Sequence, residues 1–285
     1  MKIDFTKMHG CGNDYIYVNC MDKELPHPEE IARAMSPRRF SVGSDGLILI
    51  CPSSVADAKM RMFNLDGSEG KMCGNGIRCV GKYLFDNKIV QKTEMDIETL
   101  SGIKHLWLDA RAGKATDITV DMGTAATDAK KVPVSSKKSA VIDEPLSIDG
   151  DVYNITCVSM GNPHAVTFVE NVGGLNLEKI GPLFEHNEIF PEGVNTEFIE
   201  IVDRNTLNMR VWERGSGETF ACGTGACASV VAAALCGHCD FDTPVKVRLV
   251  GGDLVITVKS DFRVYMRGGA DKVYEGVYEY EYQNK

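Results

Sequence analysis

Met72-Cys73-Gly74-Asn75-Gly76 and, 149 positions later, Ala221-Cys222-Gly223-Thr224-Gly225 share a Cys-Gly-x-Gly core. The same offset carries Gly12-Asn13 onto Gly161-Asn162, so each cysteine follows its asparagine by 60 residues. Phe63-Asn64 falls on Trp212-Glu213, and Glu29 and Ile31 fall on Glu178 and Ile180 in two short amphipathic helical patterns. One coincident dipeptide is noise. Several at one ungapped offset mark a duplicated fold.

The pattern around each copy predicts its surroundings. After the first Cys-Gly-x-Gly, Ile77, Val80, Leu84 and Phe85 form an apolar stripe at helical spacing. After the second, Ala226 to Leu235 is apolar nearly all round, as in a helix buried on every side, with Gly237 placed to end it. Alternating Val, Ile and Thr near 115–122 and 245–258 read as strands, the second split by a turn at Gly251-Gly252-Asp253. The expected class is α/β (α+β): two pseudo-symmetric halves, each a curved, mostly antiparallel sheet wrapped round a central helix. The N-terminal half, carrying Cys73, is expected over 1–122 plus 272–285, and the C-terminal half, carrying Cys222, over 123–271. A loop near 123–145 joins them. The Tyr- and Val-rich run 273–282 is a spare strand that returns to the first half.

A cysteine just before a helix has two chemical advantages. Unpaired amides and the positive end of the helix dipole favour its thiolate. The glycines that follow let those amides approach an anion such as a carboxylate. Two such copies facing one carbon allow a proton to leave to one sulfur and return from the other. Inversion of a stereocentre needs that two-sided arrangement, because a single base returns the proton to the face it left. Cys73 and Cys222 are therefore the candidate acid and base. His164, in Gly161-Asn162-Pro163-His164, and Glu213 are candidates for tuning them, against the plainer reading of His164 as a structural loop residue.

Composition narrows the class. The 285 residues are 44% hydrophobic and 25% charged, with a formal charge of −9, which disfavours nucleic acid and anionic membranes as partners. No apolar run reaches membrane-spanning length, and the N-terminus lacks a secretory signal's apolar stretch, so a cytoplasmic protein is expected. The basic run from Lys130-Lys131 to Lys137-Lys138 reads as a solvated loop. Ten cysteines in such a chain are buried thiols, metal ligands or catalytic groups rather than a disulfide framework.

Other motifs carry less. Cys236-Gly237-His238-Cys239 resembles a redox dithiol but closes a helix, where the dipole disfavours a thiolate. The same residues lack the second cluster that a zinc site needs, and no metal is expected. Gly223-Thr224-Gly225-Ala226-Cys227-Ala228 imitates a dinucleotide fingerprint without the βαβ unit around it.

Taken together, His9-Gly10-Cys11-Gly12-Asn13-Asp14-Tyr15, Phe63-Asn64-x-Asp66-Gly67-Ser68-Glu69, Met72-Cys73-Gly74-Asn75-Gly76-x-Arg78-Cys79, Gly161-Asn162-Pro163-His164, Gly193-Val194-Asn195 and Glu213-Arg214-Gly215 with Ala221-Cys222-Gly223-Thr224-Gly225 resemble the diaminopimelate epimerase family over nearly the whole chain. The resemblance implies conversion of L,L-diaminopimelate to the meso form without pyridoxal phosphate or other cofactor, for lysine and peptidoglycan precursors, by a cytoplasmic homodimer. It implies that Cys73 and Cys222 are the two bases and that Gly74-Asn75 and Gly223-Thr224 cradle the reacting carboxylate. It further implies that Asn13, Asn64, Asn162, Asn195, Glu213 and Arg214 contact substrate, with His164 and Glu213 tuning the thiols. One position departs: family members often carry a substrate-contacting Gln where this chain has Gly46. Two rivals are a proline or hydroxyproline racemase, whose members typically carry His in place of Asn75, and a non-catalytic amino-acid binding protein, which would not need both cysteines.

Overall fold

The computed structural model describes residues 1–281, so the last four residues of the expected first half lie outside the described residues. The chain divides into two compact units, Met1–Val120 with the chain from Gly268 onward, and Asp121–Arg267. The first unit holds β1 (Lys2–Gly10), β2 (Asn13–Asn19), α1 (Pro28–Met35), β3 (Gly46–Cys51), β4 (Ala58–Asn64), β5 (Glu69–Gly70), α2 (Gly74–Asp86), β6 (Glu94–Thr99), β7 (Gly102–Arg111) and most of β8 (Lys114–Thr124). The second holds β9 (Glu144–Ile148), β10 (Asp151–Ser159), β11 (Pro163–Phe168), α3 (Leu177–Glu185), β12 (Asn195–Asp203), β13 (Thr206–Glu213), β14 (Gly217–Thr219), α4 (Gly223–Leu235), β15 (Pro244–Leu249), β16 (Gly252–Val258) and β17 (Arg263–Gly268). The last strand, β18 (Asp271–Glu279), pairs antiparallel with β1 in the first unit.

Both units use one pairing scheme. Neighbouring strands are antiparallel except at β2/β3 and β4/β6 in the first unit and at β11/β12 and β13/β15 in the second. The duplicated sequence keeps its register around the cysteines. Tyr15 faces Gly46 as His164 faces Asn195, and Phe63 faces both Leu47 and Glu69 as Trp212 faces both Thr196 and Glu218. Helices α2 and α4 begin and end at matching positions. The register slips by one farther out, where Ala58 meets Ile97 but Leu207 meets Val247.

In each unit the long helix lies against the sheet. Helix α2 packs on β1, β2 and β7, burying Ile77, Val80 and Leu84 completely, while Phe85 stays half-exposed. Helix α4 packs on β10, β11, β12 and β16 with Ala226 to Val231 all buried. The shorter helices cover other parts of the sheets, α1 on β3 and β4, and α3 on β12, β13 and β14. One buried cluster gathers Ile16, Ile31, Met35, Leu47 and Phe63 in the first unit, and another gathers Phe184, Phe190, Phe198 and Trp212 in the second.

The 123–145 stretch is more than a solvated linker. Its lysines are exposed, but Ala129, Val132, Val134 and Val141 enter the core beside Phe190, and Ala126 bridges to Ser159. The uneven spacing of Ala129, Val132, Val134 and Val141 fits neither a helix nor a strand period, so this anchoring is not visible locally. The hairpin between β15 and β16 also turns earlier than the glycines suggest. Leu249 pairs with Gly252, which leaves Val250-Gly251 as the turn.

Candidate active site

Each repeated cysteine is the N-cap of its unit's long helix. Cys73 (φ −127°, ψ 119°) and Cys222 (φ −117°, ψ 109°) are extended, and each sulfur accepts the N–H three residues on, from Gly76 at 3.3 Å and Gly225 at 3.4 Å. The caps thus satisfy an amide that the helix leaves unpaired. Both third-position glycines are needed for close packing. A Cβ on Gly76 would lie 2.6 Å from Ile48 Cδ1, and one on Gly225 would lie 2.5 Å from Glu197 Oε1.

Around Cys73, the thiol donates to Asn13 Oδ1 at 3.3 Å. Asn13 in turn donates Nδ2–H to Asp45 Oδ2 at 2.8 Å, and Asp45 also accepts the Asp14 N–H at 3.0 Å. An ionised carboxylate only accepts, so Asp45 turns the Asn13 amine toward itself and the amide oxygen toward the sulfur. Arg38 pairs with Asp14 at 2.5 Å and with Asp45 at 2.9 Å, and Lys7 pairs with Asp14 at 2.5 Å. Burial tends to raise the Asp14 pKa, but the hydrogen bonds and charges of Arg38 and Lys7 win and hold it below the usual carboxylate value. Burial and the charge of Asp14 push Asp45 up.

Around Cys222, the polar groups run in a different order. Cys222 Sγ lies 3.5 Å from Thr224 Oγ1, which accepts Asn162 Nδ2–H at 3.3 Å. Asn162 Oδ1 lies 3.1 Å from His164 Nε2, and His164 Nδ1 lies 2.7 Å from Glu197 Oε1. His164 and Glu197 are completely buried. Glu213 accepts from Thr219 Oγ1, and its burial raises its pKa. Burial, then the carboxylates of Glu213 and Glu197, push the Cys222 thiol well above its ordinary range, against the pull of Thr224 and the Gly225 N–H.

The remaining expected residues fall into smaller groups. Asn195 starts β12, donating to the Pro163 carbonyl at 2.8 Å and accepting the Arg214 N–H at 3.0 Å. The exposed Arg214 guanidinium donates to the Glu192 carbonyl at 2.8 Å. Asn64 ends β4, exposed, with Nδ2 on Ser68 Oγ at 3.0 Å. The buried Asn75 side chain accepts from Arg78 Nη2 at 3.0 Å, so this side chain braces the helix start. Gly74 and Gly223 are the first residues of α2 and α4. Gly46 has no room for a longer side chain, because a Cβ there would sit 2.1 Å from the Phe63 carbonyl oxygen and 2.9 Å from the Tyr15 ring.

Two residues that the sequence did not single out belong with these groups, Asp45 and Glu197. Glu197 had a sequence signal. At the 149-residue offset it replaces Ile48, a charge on a strand position where the other copy is apolar and fully buried. No disulfide joins the ten cysteines, and among the described residues only His27, Glu29 and Glu30 gather as ligand atoms within 4.8 Å of one another. These three lie at the start of α1, and His27 and Glu30 are exposed, so they are ordinary surface acids and a histidine rather than a built metal site.

The fold places the chain in a known structural class. It is similar to a hydroxyproline epimerase from Agrobacterium vitis (TM-score 0.73, 14% identity, covering 97% of this chain and 92% of that one). It is also similar to a PhzF-family phenazine biosynthesis protein from Bacillus anthracis (TM-score 0.71, 18% identity, covering 98% and 100%). Sequence then separates it from those relatives by fold. A family model described as diaminopimelate epimerase matches residues 5–127 and 156–273. Curated diaminopimelate epimerases from Acetivibrio thermocellus and Methanococcus maripaludis are each 55% identical over 273 residues, covering 95% of this chain and 97% and 98% of those proteins. One from Bacillus cytotoxicus is 48% identical over 283 residues, covering 98% of each. The chain belongs to the diaminopimelate epimerase family.

Proposed function

We propose that this chain epimerises L,L-2,6-diaminopimelate to the meso form without pyridoxal phosphate, with Cys73 and Cys222 as acid and base. One sulfur, as thiolate, takes the α-proton. The electron pair left on carbon delocalises into the adjacent carboxylate, whose growing charge meets the helix-start amides. The other sulfur, as thiol, gives its proton to the opposite face, so one turnover exchanges the two protonation states. The observation that carries the reading is the pair of matched helix N-caps, each with its sulfur on the third amide and a repeat-related asparagine nearby. Family membership supplies the substrate and its use in lysine synthesis.

Asn13, Asn64, Asn162, Asn195, Glu213 and Arg214 are the groups we assign to substrate. The planar fork of Arg214 suits a distal carboxylate. Sites built on polar grips strongly reject analogues that leave those grips unpaired. The test is α-deuterium incorporation in deuterated water, with no cofactor added. Diaminopimelate is expected to exchange while L-lysine and L-proline do not. Equal exchange of lysine or proline would sink the substrate assignment. A homodimer in the cytoplasm is part of the same proposal. It is supported by family membership, and by the lack of any helix among the described residues long and apolar enough to cross a membrane. Sedimentation at micromolar concentration reads the oligomeric state.

A further inference from the structure

The two repeat-related asparagines, Asn13 against Cys73 and Asn162 linked to Cys222 through Thr224, are turned in opposite senses. Asn13 presents its oxygen to Cys73 because the acceptor Asp45 claims its amine. Asn162 presents its amine to Thr224, which leaves its oxygen to face His164 Nε2 at 3.1 Å. An amide oxygen only accepts, so His164 must carry its proton on Nε2. The other ring nitrogen lies 2.7 Å from Glu197 Oε1, a distance that requires a proton between them. The pair therefore holds two protons, one on Nε2 and one shared by Nδ1 and Oε1. Glu197 Oε2 has no hydrogen-bond partner among the described residues, so this carboxylate is neutralised through His164.

The donor order runs one way from there. His164 Nε2–H donates to Asn162 Oδ1, and Asn162 Nδ2–H donates to Thr224 Oγ1. Thr224, having accepted, has its single hydroxyl proton to give to Cys222 Sγ, 3.5 Å away. If the pair held one proton fewer, as a carboxylate beside an Nδ1–H imidazole, Nε2 would accept. Asn162 would then turn round, and Thr224 would donate to it instead of to the sulfur. The first unit has no counterpart, because Tyr15 and Ile48 stand where the second has His164 and Glu197.

We propose that Glu197 is a positioning residue for Cys222. By sharing a proton with His164 it fixes Nε2–H, and through Asn162 and Thr224 it aims a hydroxyl donor at the sulfur. The inference rests on the reading of Cys222 as one of the two acid–base groups. Glu197 itself lies beneath the cap, with its Oε1 2.5 Å from where a Gly225 Cβ would be, so it is held in place on both sides.

The test has two arms. In the unmodified enzyme, labelled with 15N-histidine and assigned with His164→Gln, the His164 shifts are expected to show a protonated Nε2 under the conditions of the activity assay. An unprotonated Nε2 would overturn the proposal. This arm needs neither substrate nor turnover, so it stands even if Cys222→Ala proves active and the acid–base reading fails. In the second arm, Glu197→Gln keeps the shape but accepts either imidazole tautomer. Loss of the Glu197 charge by itself would lower the Cys222 pKa and speed its alkylation, so slower labelling reports the lost donor order and not the charge. Turnover is expected to fall about tenfold at unchanged KM, the scale of one aligned hydrogen bond to a charged group. Iodoacetamide should label Cys222 at least about threefold more slowly while Cys73 labels as before. Unchanged labelling of Cys222, or equal slowing at both cysteines, would overturn the positioning role.

Discussion

Ile48 and Glu197 hold the same place in the two units. Each lies under the third residue of the cysteine-capped helix, with Ile48 Cδ1 2.6 Å and Glu197 Oε1 2.5 Å from where a Cβ on Gly76 or Gly225 would stand. One cap therefore rests on a methyl group and the other on a buried carboxylate paired with His164. The duplicated backbone is symmetric and its chemistry is not. Under the proposed two-base mechanism, two thiols that begin each turnover in opposite protonation states are better served by unlike surroundings than by identical ones.

Cys73→Ala and Cys222→Ala are each expected to lower epimerisation by about 10³-fold or more, since each removes a whole acid–base group. Far-ultraviolet circular dichroism should stay unchanged, because alanine fits an N-cap at a modest cost in stability. Cys236→Ala, which loses only a contact to Thr156 Oγ1 at 3.4 Å, should keep normal turnover. Wild-type rates in either of the first two variants would remove the two-base mechanism.

Glu213→Gln should move Cys222 reactivity to lower pH. Burial and then the Glu213 charge raise the Cys222 pKa, so in the native enzyme alkylation of this sulfur is expected to rise only above the ordinary thiol range. Removing the charge lowers the thiol pKa, and the alkylation profile shifts toward neutral pH. A profile that stays in place, or moves upward, contradicts the role assigned to Glu213.

Gly46→Gln tests the position where family members often carry glutamine. A side chain there meets the Phe63 carbonyl at 2.1 Å, a backbone atom that moves only if β3 and β4 part. The variant should lose roughly 1–3 kcal/mol of stability. Chemical denaturation measures it, and an unchanged midpoint would show that the strands adjust freely.

Asp14→Asn should destabilise the protein at neutral pH but not in acid. The Asp14 pKa is depressed because Arg38 and Lys7 overcome the cost of its burial. A depressed carboxylate contributes stability above its unfolded value of about 3.9, and that stability is lost as pH falls through the lower folded value. The gap in denaturation midpoint between the native protein and the variant should thus be present at pH 7 and close below about pH 4. A gap independent of pH would mean that the substituted amide fails for steric reasons alone.

Much of this was written locally in the chain. The repeat at 149 residues, the burial of Ile77, Val80 and Leu84, and the all-round apolar α4 follow from short-range pattern, because a helix N-cap and its first turn are set by residues within four positions of one another. What tertiary structure decided was polarity. Asp45 reaches Asn13 across 32 residues, Glu197 reaches His164 across 33, and Thr224 reaches Asn162 across 62. The first two meetings depend on the parallel registers of β2 with β3 and β11 with β12, and the third on the packing of α4 against β11, none of which a local period encodes. A lone glutamate in a strand reads as a solvated face until the sheet closes over it. Only then does its charge, deprived of water, need a proton from a neighbour, and that need is what distinguishes one cysteine's surroundings from the other's.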